Sequence, residues 1–228
     1  MNFDEWEPAY EAILADFGYP REDDERARDD LAELATPFDV TRLPAFEGAT
    51  VAVAGGAGTL HDELALVERA DVVVAASTAA DVLLAAGLQV DCMTTDLDKN
   101  PGTAVELSAS GVPVAVHAHG DNRQAIRRWV PEFETANVLP TTQAAPRPPV
   151  ENFGGFTDGD RAAFLADHLG AARLVFPGWD FEDATVGAEK RRKLDWAARL
   201  LGWLERRRGE RFAVLDGRRS SLDLSFGR

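Results

Sequence analysis

The feature that most constrains this chain is a regular alternation of short apolar runs with segments of helical spacing, which begins near residue 50. The apolar runs that predict strands lie at 51–54, 72–76, 90–94, 112–116, 137–139, 173–176 and 212–215. Strands that alternate with helices form parallel sheets covered by helices on both faces. We therefore predict an α/β fold with a mostly parallel, three-layer, Rossmann-like sheet.

The first 45 residues follow a different pattern. Phe3, Trp6 and Tyr10 recur at helical spacing in a segment that stops at Gly18, and a second helix is predicted at about 22–35. Residues 1–35 hold 12 Asp or Glu against 3 Arg. We predict a small acidic helical extension at 1–45, followed by one α/β domain at 46–228.

The composition argues against nucleic acid and membrane partners. The formal net charge is −15, although residues 187–228 hold 12 Lys or Arg against 6 Asp or Glu and could meet a smaller anion. No apolar stretch reaches the roughly 18 residues needed to span a bilayer. The first residues lack the basic region and apolar core of a signal peptide, and there is one cysteine, so we expect a cytoplasmic protein. Three lysines beside 21 arginines in so acidic a chain resemble the composition of proteins from salt-loving archaea.

Two aspartates follow the third predicted strand. Along an extended chain Leu97 would point away from its neighbours, so that Asp96 and Asp98 face the same ligand. Two such carboxylates suit Mg²⁺, and Mg²⁺ suits a nucleotide polyphosphate. The alternative is a solvated acidic loop, since 99–102 has the composition of a turn.

A histidine cluster follows the fourth predicted strand. The spacing His117-x-His119-x-Asp121, followed by Asn122, resembles the metal-binding run of metallo-β-lactamase-type zinc hydrolases. A mononuclear zinc site would also need His61, because the chain has few other histidines. The other interpretation is that both histidines simply pack at a strand end.

Three further segments carry candidate residues. The turn after the first strand contains Gly55 and Gly56, whose amides could approach an anion, although a tight βα turn explains them equally well. Ser77 is predicted to cap the helix after the second strand. Lys190 and Lys193 lie three residues apart on one helical face, which favours either phosphate binding or a solvated basic surface.

A glycine-rich loop precedes the predicted helix that ends near residue 169. Either Thr157 or Asp158 could cap that helix. The loop supplies more polar groups than a cap needs. A carboxylate from Asp158 or Asp160 could accept two hydrogen bonds from the guanidine-like edge of a pterin or guanine.

Four motifs occur in a fixed order: Thr94-Thr-Asp-Leu-Asp98, His117-Ala-His-Gly-Asp-Asn122, Asn152-Phe-Gly-Gly-Phe-Thr-Asp-Gly-Asp-Arg161 and Lys190-x-x-Lys193-Leu194. Together they resemble the archaeal 6-hydroxymethyl-7,8-dihydropterin diphosphokinase family of folate and methanopterin biosynthesis, which is distantly similar to thiamine pyrophosphokinases. The resemblance implies transfer of a diphosphoryl group from ATP, with Mg²⁺, to the pterin hydroxymethyl oxygen with release of AMP.

This resemblance and the residue chemistry together give a set of expected roles. We expect the metal at Asp96, Asp98 and Asp121. We expect the nucleotide near Gly55, Gly56, Arg161, Lys190 and Lys193. We expect the substrate near Asn122, Thr157, Asp158 and Asp160, with His117 or His119 accepting the hydroxymethyl proton. The expected partners are ATP and a reduced pterin, and the sequence is compatible with a homo-oligomer.

Three other functions are compatible with the sequence. The first is a thiamine-type diphosphokinase with another acceptor. The second is a zinc-dependent hydrolase that uses the His-x-His-x-Asp cluster. The third is a nucleotide sensor without catalytic activity.

Overall fold

The computed structural model describes residues 1–227 and contains a six-stranded sheet in which every strand pair is parallel. The strands are β1 (Thr50–Ala54), β2 (Val72–Ala76), β3 (Cys92–Thr95), β4 (Val114–Ala118), β5 (Val138–Thr142) and β6 (Arg173–Val175), in the spatial order β5-β4-β3-β2-β1-β6. The predicted α/β class is confirmed.

Eight α-helices lie within residues 1–227. They are α1 (Phe3–Phe17), α2 (Arg21–Leu34), α3 (Leu64–Val67), α4 (Ala79–Ala85), α5 (Pro101–Ala109), α6 (Arg123–Trp129), α7 (Asp158–His168) and α8 (Ala188–Arg208). None of these helices is long and apolar enough to cross a membrane.

The sheet lies between two apolar layers because its strands are apolar on both faces. In β2, Val72 and Val74 belong to the core that also contains residues of α1, α7 and α8, whereas Val73 and Ala75 belong to the core formed with α2 to α6. Strands buried on both faces appear in the sequence as continuous apolar runs. The predicted three-layer arrangement is confirmed.

The strand order reverses once, between β1 and β6. From β1 to β5 the chain moves steadily toward one edge, and it then returns so that β6 pairs with β1. Ligands of open α/β sheets bind at the carboxyl ends of the strands, at the point where the strand order reverses. Here that point lies between the loops that follow β1 and β6.

The two N-terminal helices pack into the cores of the domain. Trp6 and Tyr10 of α1 are fully buried, and Leu31 of α2 is fully buried in the other layer. α1 begins at a capping box in which Asn2 accepts from the Glu5 N–H, which satisfies an otherwise unpaired amide. The helices predicted at 3–18 and 22–35 are confirmed.

Three local predictions are wrong. Residues 213–215 form a 3-10 turn and not a strand, because the Phe212 N–H donates to Glu205 and the Leu174 N–H of edge strand β6 donates to Glu210. The segment after the first strand predicts a single helix at 59–69, but the structure has a 3-10 turn (58–62) and the short α3 there. The turn expected at 99–102 ends early, because helix α5 begins at Pro101. Proline is common in the first turn of a helix, where the backbone N–H has no partner within the helix.

Candidate active site

A cavity of about 690 Å³ opens at the carboxyl edge of the sheet. Its walls come from the loops after all six strands, from the start of α2, from the start of α7 and from the first turns of α8. Most of the residues predicted from sequence line it: Gly55, Gly56, Asp96, Asp98, His119, Asp121, Thr157, Asp158, Arg161, Lys190 and Lys193. His117, Asn122 and Asp160 are not among its lining residues.

The two aspartates after β3 lie on a tight turn, and the expected extended geometry is wrong. Leu97 has φ 67°, in the left-handed region that a branched apolar residue rarely adopts, and its side chain is 2% exposed. The turn is held by a hydrogen bond from the Asp98 N–H to Asp96 Oδ1 at 3.2 Å and by one from the Leu97 N–H to Thr95 Oγ1 at 2.9 Å. Burial of Leu97 anchors the turn, so that both carboxylates reach the cavity from it.

Asp96 is the more strongly ionised of the two carboxyls. Burial by itself would raise the pKa of Asp96, but the hydrogen bond with His119 (3.4 Å) and the charge of Arg161 (4.0 Å) outweigh it and lower that pKa. Burial and the neighbouring Asp96 raise the pKa of Asp98. The site therefore holds one carboxylate, Asp96, that stays ionised, beside a second, Asp98, whose ionised form a nearby cation would stabilise.

The two histidines of the cluster have different environments. His117 lies inside β4, 3% exposed, where its Nδ1 contacts Thr141 Oγ1 at 3.0 Å. The Thr141 hydroxyl donates to the Val116 carbonyl, so it accepts from His117, and the lone pair of His117 is on Nε2. Burial lowers the pKa of His117 well below its usual range. His119 lines the main cavity, with its Nε2 facing Asp96 and its Nδ1 3.4 Å from the Asp121 amide nitrogen.

Asn122 holds the polar loops together and does not face the cavity. Its Nδ2 donates to the carbonyls of Asp96 (2.8 Å) and His117 (2.6 Å), and its Oδ1 accepts from the His119 N–H. The side-chain amide therefore ties the turn after β3 to the end of β4. The expected direct contact with substrate has no support in this geometry.

The arrangement does not resemble a zinc site. In residues 1–227, no three His, Cys, Asp or Glu side chains are grouped closely enough to hold a metal ion. His61, which a mononuclear site would need, is exposed and is not part of the cavity lining. Catalytic zinc requires three protein ligands, whereas Mg²⁺ is commonly held by one or two carboxylates together with substrate phosphates and water.

The glycine turn after β1 contacts the loop after β6 at the point where the strand order reverses. Gly55 and Ala57 donate their N–H groups to the carbonyls of Pro177 (2.9 Å) and Gly178 (3.0 Å), so these two amides are not free for an anion. A Cβ on Gly55 would lie 2.5 Å from the Gly178 oxygen. Only glycine permits this approach, and the exposed Gly56 remains the residue of the pair nearer to solvent.

Trp179 forms one wall of the cavity beside that turn. Its indole donates to the Val53 carbonyl at 2.9 Å, and a Cβ on Gly159 would lie 2.6 Å from the ring. The sequence pattern gave no indication of this wall. Ser77 lies on the same edge, but the predicted cap is wrong: Ser77 has φ 49°, and α4 begins after Thr78 without a side-chain cap.

The start of α7 separates two acidic side chains by function. Thr157 is the N-cap of α7 and forms a capping box with Asp160. The Asp160 carboxylate accepts hydrogen bonds from the Thr157 N–H and hydroxyl and from the Phe156 N–H. Asp160 is 0% exposed, so it stabilises the loop and cannot contact a ligand. Asp158 faces the cavity and pairs with Arg161 at 2.9 Å. Burial, followed by the charge of Asp96, raises the pKa of Asp158 well above its usual range.

The two lysines of α8 lie on the side of the cavity formed by the first turns of that helix. Lys190 is exposed, and Lys193 contacts Glu189 at 3.2 Å, a partner that is itself largely solvated. Both lysines line the cavity with Asp183 and Glu189. Their ammonium groups can reach an anion that enters the cavity, at the cost of only weak surface ion pairs.

The contribution of α2 to the cavity was not predicted. Tyr19, Asp23 and Asp24 line the cavity, and Gln143, after β5, lines it with them. Asp24 is 3% exposed although it lies within a run of acidic residues. No local pattern separates it from the solvated aspartates around it.

The fold and the site define a Rossmann-like α/β protein with a ligand cavity at the carboxyl ends of its strands. Residues 26–185 match the family described as 6-hydroxymethylpterin diphosphokinase MptE-like. The chain belongs to this family, and the resemblance predicted from the motifs is confirmed.

Three archaeal proteins called 6-hydroxymethyl-7,8-dihydropterin pyrophosphokinase are similar to the chain. They come from Pyrococcus furiosus (39% identical, covering 90% of this chain and 95% of the relative), Methanothermobacter thermautotrophicus (36%, 90% and 96%) and Methanocaldococcus jannaschii (30%, 90% and 96%). The similarity extends over nearly the whole of each relative.

Proposed function

We propose that this protein transfers a diphosphate group from ATP to the hydroxymethyl group of 6-hydroxymethyl-7,8-dihydropterin and releases AMP. The observation that carries the proposal is a single cavity with an aspartate turn from β3 and two lysines from α8 in its walls. Diphosphoryl transfer requires that the negative charge on the oxygens of the transferred group and of the departing AMP be neutralised. The family and the names of its similar members support the same reaction.

Asp96 and Asp98 fit a hard divalent cation. Their carboxylates come from one anchored turn, and the raised pKa of Asp98 indicates an acidic group that a positive ion would stabilise in its charged form. Mg²⁺ bound there would neutralise phosphate charge during transfer. Asp121 lines the same cavity, but no group of three such side chains within residues 1–227 could hold one ion, so we propose that nucleotide phosphates and water, and not Asp121, complete the coordination at Asp96 and Asp98.

The other groups around the cavity are assigned by their positions. Lys190 and Lys193 hold the triphosphate, and Gly56 leaves room for it beside Thr78, whose Oγ1 would lie 2.6 Å from a Cβ at residue 56. Asp158 accepts from the pterin ring edge. Donation of two N–H groups to this buried carboxylate would stabilise its charged form.

Of the two histidines, we assign the proton-accepting role to His119. Asp96 faces Nε2 of His119, so the lone pair is on Nδ1, where it accepts a long hydrogen bond from the Asp121 N–H (3.4 Å). The substrate hydroxyl would replace that amide as the donor to Nδ1. His117 is 3% exposed and is not among the residues that line the cavity, so we do not assign this role to it.

The direct test is an assay with ATP, Mg²⁺ and 6-hydroxymethyl-7,8-dihydropterin in which AMP and the pterin diphosphate are separated by chromatography. Asp96→Asn and Asp98→Asn are expected to lower kcat by at least about 100-fold, the scale of losing electrostatic stabilisation of the transition state. Asp62→Asn is the matched control, since Asp62 is exposed and outside the cavity lining. Unchanged turnover in both site variants at saturating Mg²⁺ would remove the aspartate turn from the mechanism.

The same assay separates the rival functions. Product formation with thiamine in place of the pterin would favour a thiamine-type diphosphokinase. Stoichiometric zinc in the purified protein, with hydrolysis independent of Mg²⁺, would favour a hydrolase. ATP binding without AMP release would favour a sensor.

A further inference from the structure

A chain of buried polar contacts connects helix α2 with the candidate active site, and it passes through Asp24. The Asp24 Oδ2 atom accepts hydrogen bonds from the Tyr10 hydroxyl and from Gln143 Nε2, each at 2.8 Å. Its Oδ1 accepts from the Gly120 N–H at 2.7 Å. A Cβ on Gly120 would lie 2.8 Å from the Asp23 Cβ, so α2 and the loop after β4 are in close contact here.

The next link is the side-chain amide of Gln143. Its Nε2 donates to Asp24, and its Oε1 is 3.4 Å from Arg161 Nη2. Arg161 is 6% exposed; its Nη1 lies 2.9 Å from Asp158 and 4.0 Å from Asp96. Because an amide has one donating and one accepting end, the acceptor at residue 24 determines that Gln143 turns its oxygen toward Arg161.

We propose that Asp24 is a positioning residue of the active site: it orients Gln143, which in turn holds the Arg161 guanidinium between Asp96 and Asp158. The activity readout of this inference rests on the proposed function. It makes α2, which sequence analysis assigned to a separate extension, a part of the site.

A carboxylate is required at position 24 because both of its oxygens accept. An asparagine there offers one oxygen, and if that oxygen keeps the Gly120 N–H, its NH₂ group faces the nitrogen of Gln143. Gln143 must then rotate its amide and present hydrogen-bond donors to Arg161, which has only donors of its own. The substitution changes almost no volume, yet it removes the acceptor that holds the guanidinium.

The first experiment measures kcat and KM for Asp24→Asn. We expect kcat/KM for the pterin to fall at least tenfold and KM for ATP to change less, because the relay reaches Asp158 at 2.9 Å from Arg161, Asp96 only at 4.0 Å, and the lysines of α8 not at all. Asp30→Asn is the matched control: Asp30 also anchors α2, through Arg123 (2.6 Å) and Arg127 (2.7 Å), but makes no contact with the relay. We expect its kinetic constants to stay within about twofold of wild type below its melting temperature.

A charge-relocating double variant tests the order of donors and acceptors. When Asp24→Asn is combined with Gln143→Glu, the contacts from position 24 through position 143 to Arg161 are complementary again. The new amide at position 24 donates to the new carboxylate at position 143, whose other oxygen accepts from Arg161. We expect this pair to recover activity to within about threefold of wild type. If the pair stays as impaired as Asp24→Asn alone, or if Asp24→Asn and Asp30→Asn have the same activity at matched stability, the proposal is overturned.

Two further measurements cover the remaining outcomes. If the wild-type protein forms no AMP, the proposed function fails, and the relay is then tested by NMR: exchange of the Arg161 guanidinium protons with solvent should speed up in Asp24→Asn and not in Asp30→Asn. Equal exchange in the two variants would overturn the relay. If Asp24→Asn does not fold, Gln143→Met breaks the relay and leaves the contact of Asp24 with Gly120; unchanged kinetic constants in that variant would overturn it as well.

Discussion

Asp158 and Asp160 lie two residues apart at the start of α7, and the structure assigns them opposite roles that substitution to asparagine can separate. Asp160 is fully buried and accepts from two backbone amides and the Thr157 hydroxyl. Asp158 has a side chain that lines the cavity. We expect Asp160→Asn to reduce stability and leave catalysis in the folded protein intact, and Asp158→Asn to do the reverse.

The size of the stability effect follows from the contacts of Asp160. An asparagine keeps one accepting oxygen, but its NH₂ group then faces other donors in a site closed to water. An unsatisfied buried group together with a lost charge-assisted hydrogen bond costs about 2–4 kcal/mol. For a chain of this length that free-energy change lowers Tm by about 4–16 °C, which leaves the protein folded at 25 °C if its stability is typical.

The assay combines calorimetry with steady-state kinetics at 25 °C, where both variants are expected to be folded. Asp158→Asn should raise KM for the pterin at least tenfold with Tm within about 3 °C of wild type, because burial and the charge of Asp96 raise the pKa of Asp158, so that its charged form does not stabilise the fold and a neutral side chain costs little. Asp160→Asn should keep its kinetic constants within about twofold. The assignment is refuted if Asp160→Asn is as stable as wild type, or if it is folded and has lost the pterin.

Two other predictions concern contacts of helices α2 and α7. Asp30→Asn should lower the free energy of unfolding by about 1–2 kcal/mol, the discounted value for a buried carboxylate whose arginine partners are partly exposed. Burial would raise the pKa of Asp30, but its contacts with Arg123 and Arg127 outweigh burial and lower that pKa. The difference in the free energy of unfolding between wild type and Asp30→Asn should therefore be constant above the unfolded-state pKa of about 3.8. It should disappear as the pH falls through the lower pKa of the folded state, which urea unfolding at several pH values would measure. Gly159→Ala should lower the free energy of unfolding by about 1–3 kcal/mol through overpacking against the Trp179 ring, whereas an unchanged Tm would contradict that contact.

The predictions from sequence were accurate where the signal was local and periodic. Apolar runs identified all six strands, because strands of a parallel sheet are buried on both faces and leave a continuous pattern. Polar residues at the ends of those runs also converged, since parallel strands bring their carboxyl ends to one edge. The predicted local geometry was wrong at two of these ends: the chain turns at Leu97 and is not extended there, and His117 lies inside β4 and not after it. Whether a residue ends a strand or begins a turn depends on anchoring contacts such as those of Thr95 and Thr141.

By itself, the sequence determined the layered α/β fold, the edge of the sheet that carries the chemistry and, through its ordered motifs, the family. Only the tertiary structure decided which acidic residues face the cavity and which are structural, as with Asp158 and Asp160. It alone revealed Asp24, whose partner Gln143 is 119 residues away along the chain. The physical reason is that periodicity records which face of an element is buried, whereas the partner of a buried polar group is chosen by packing between elements that no local pattern relates.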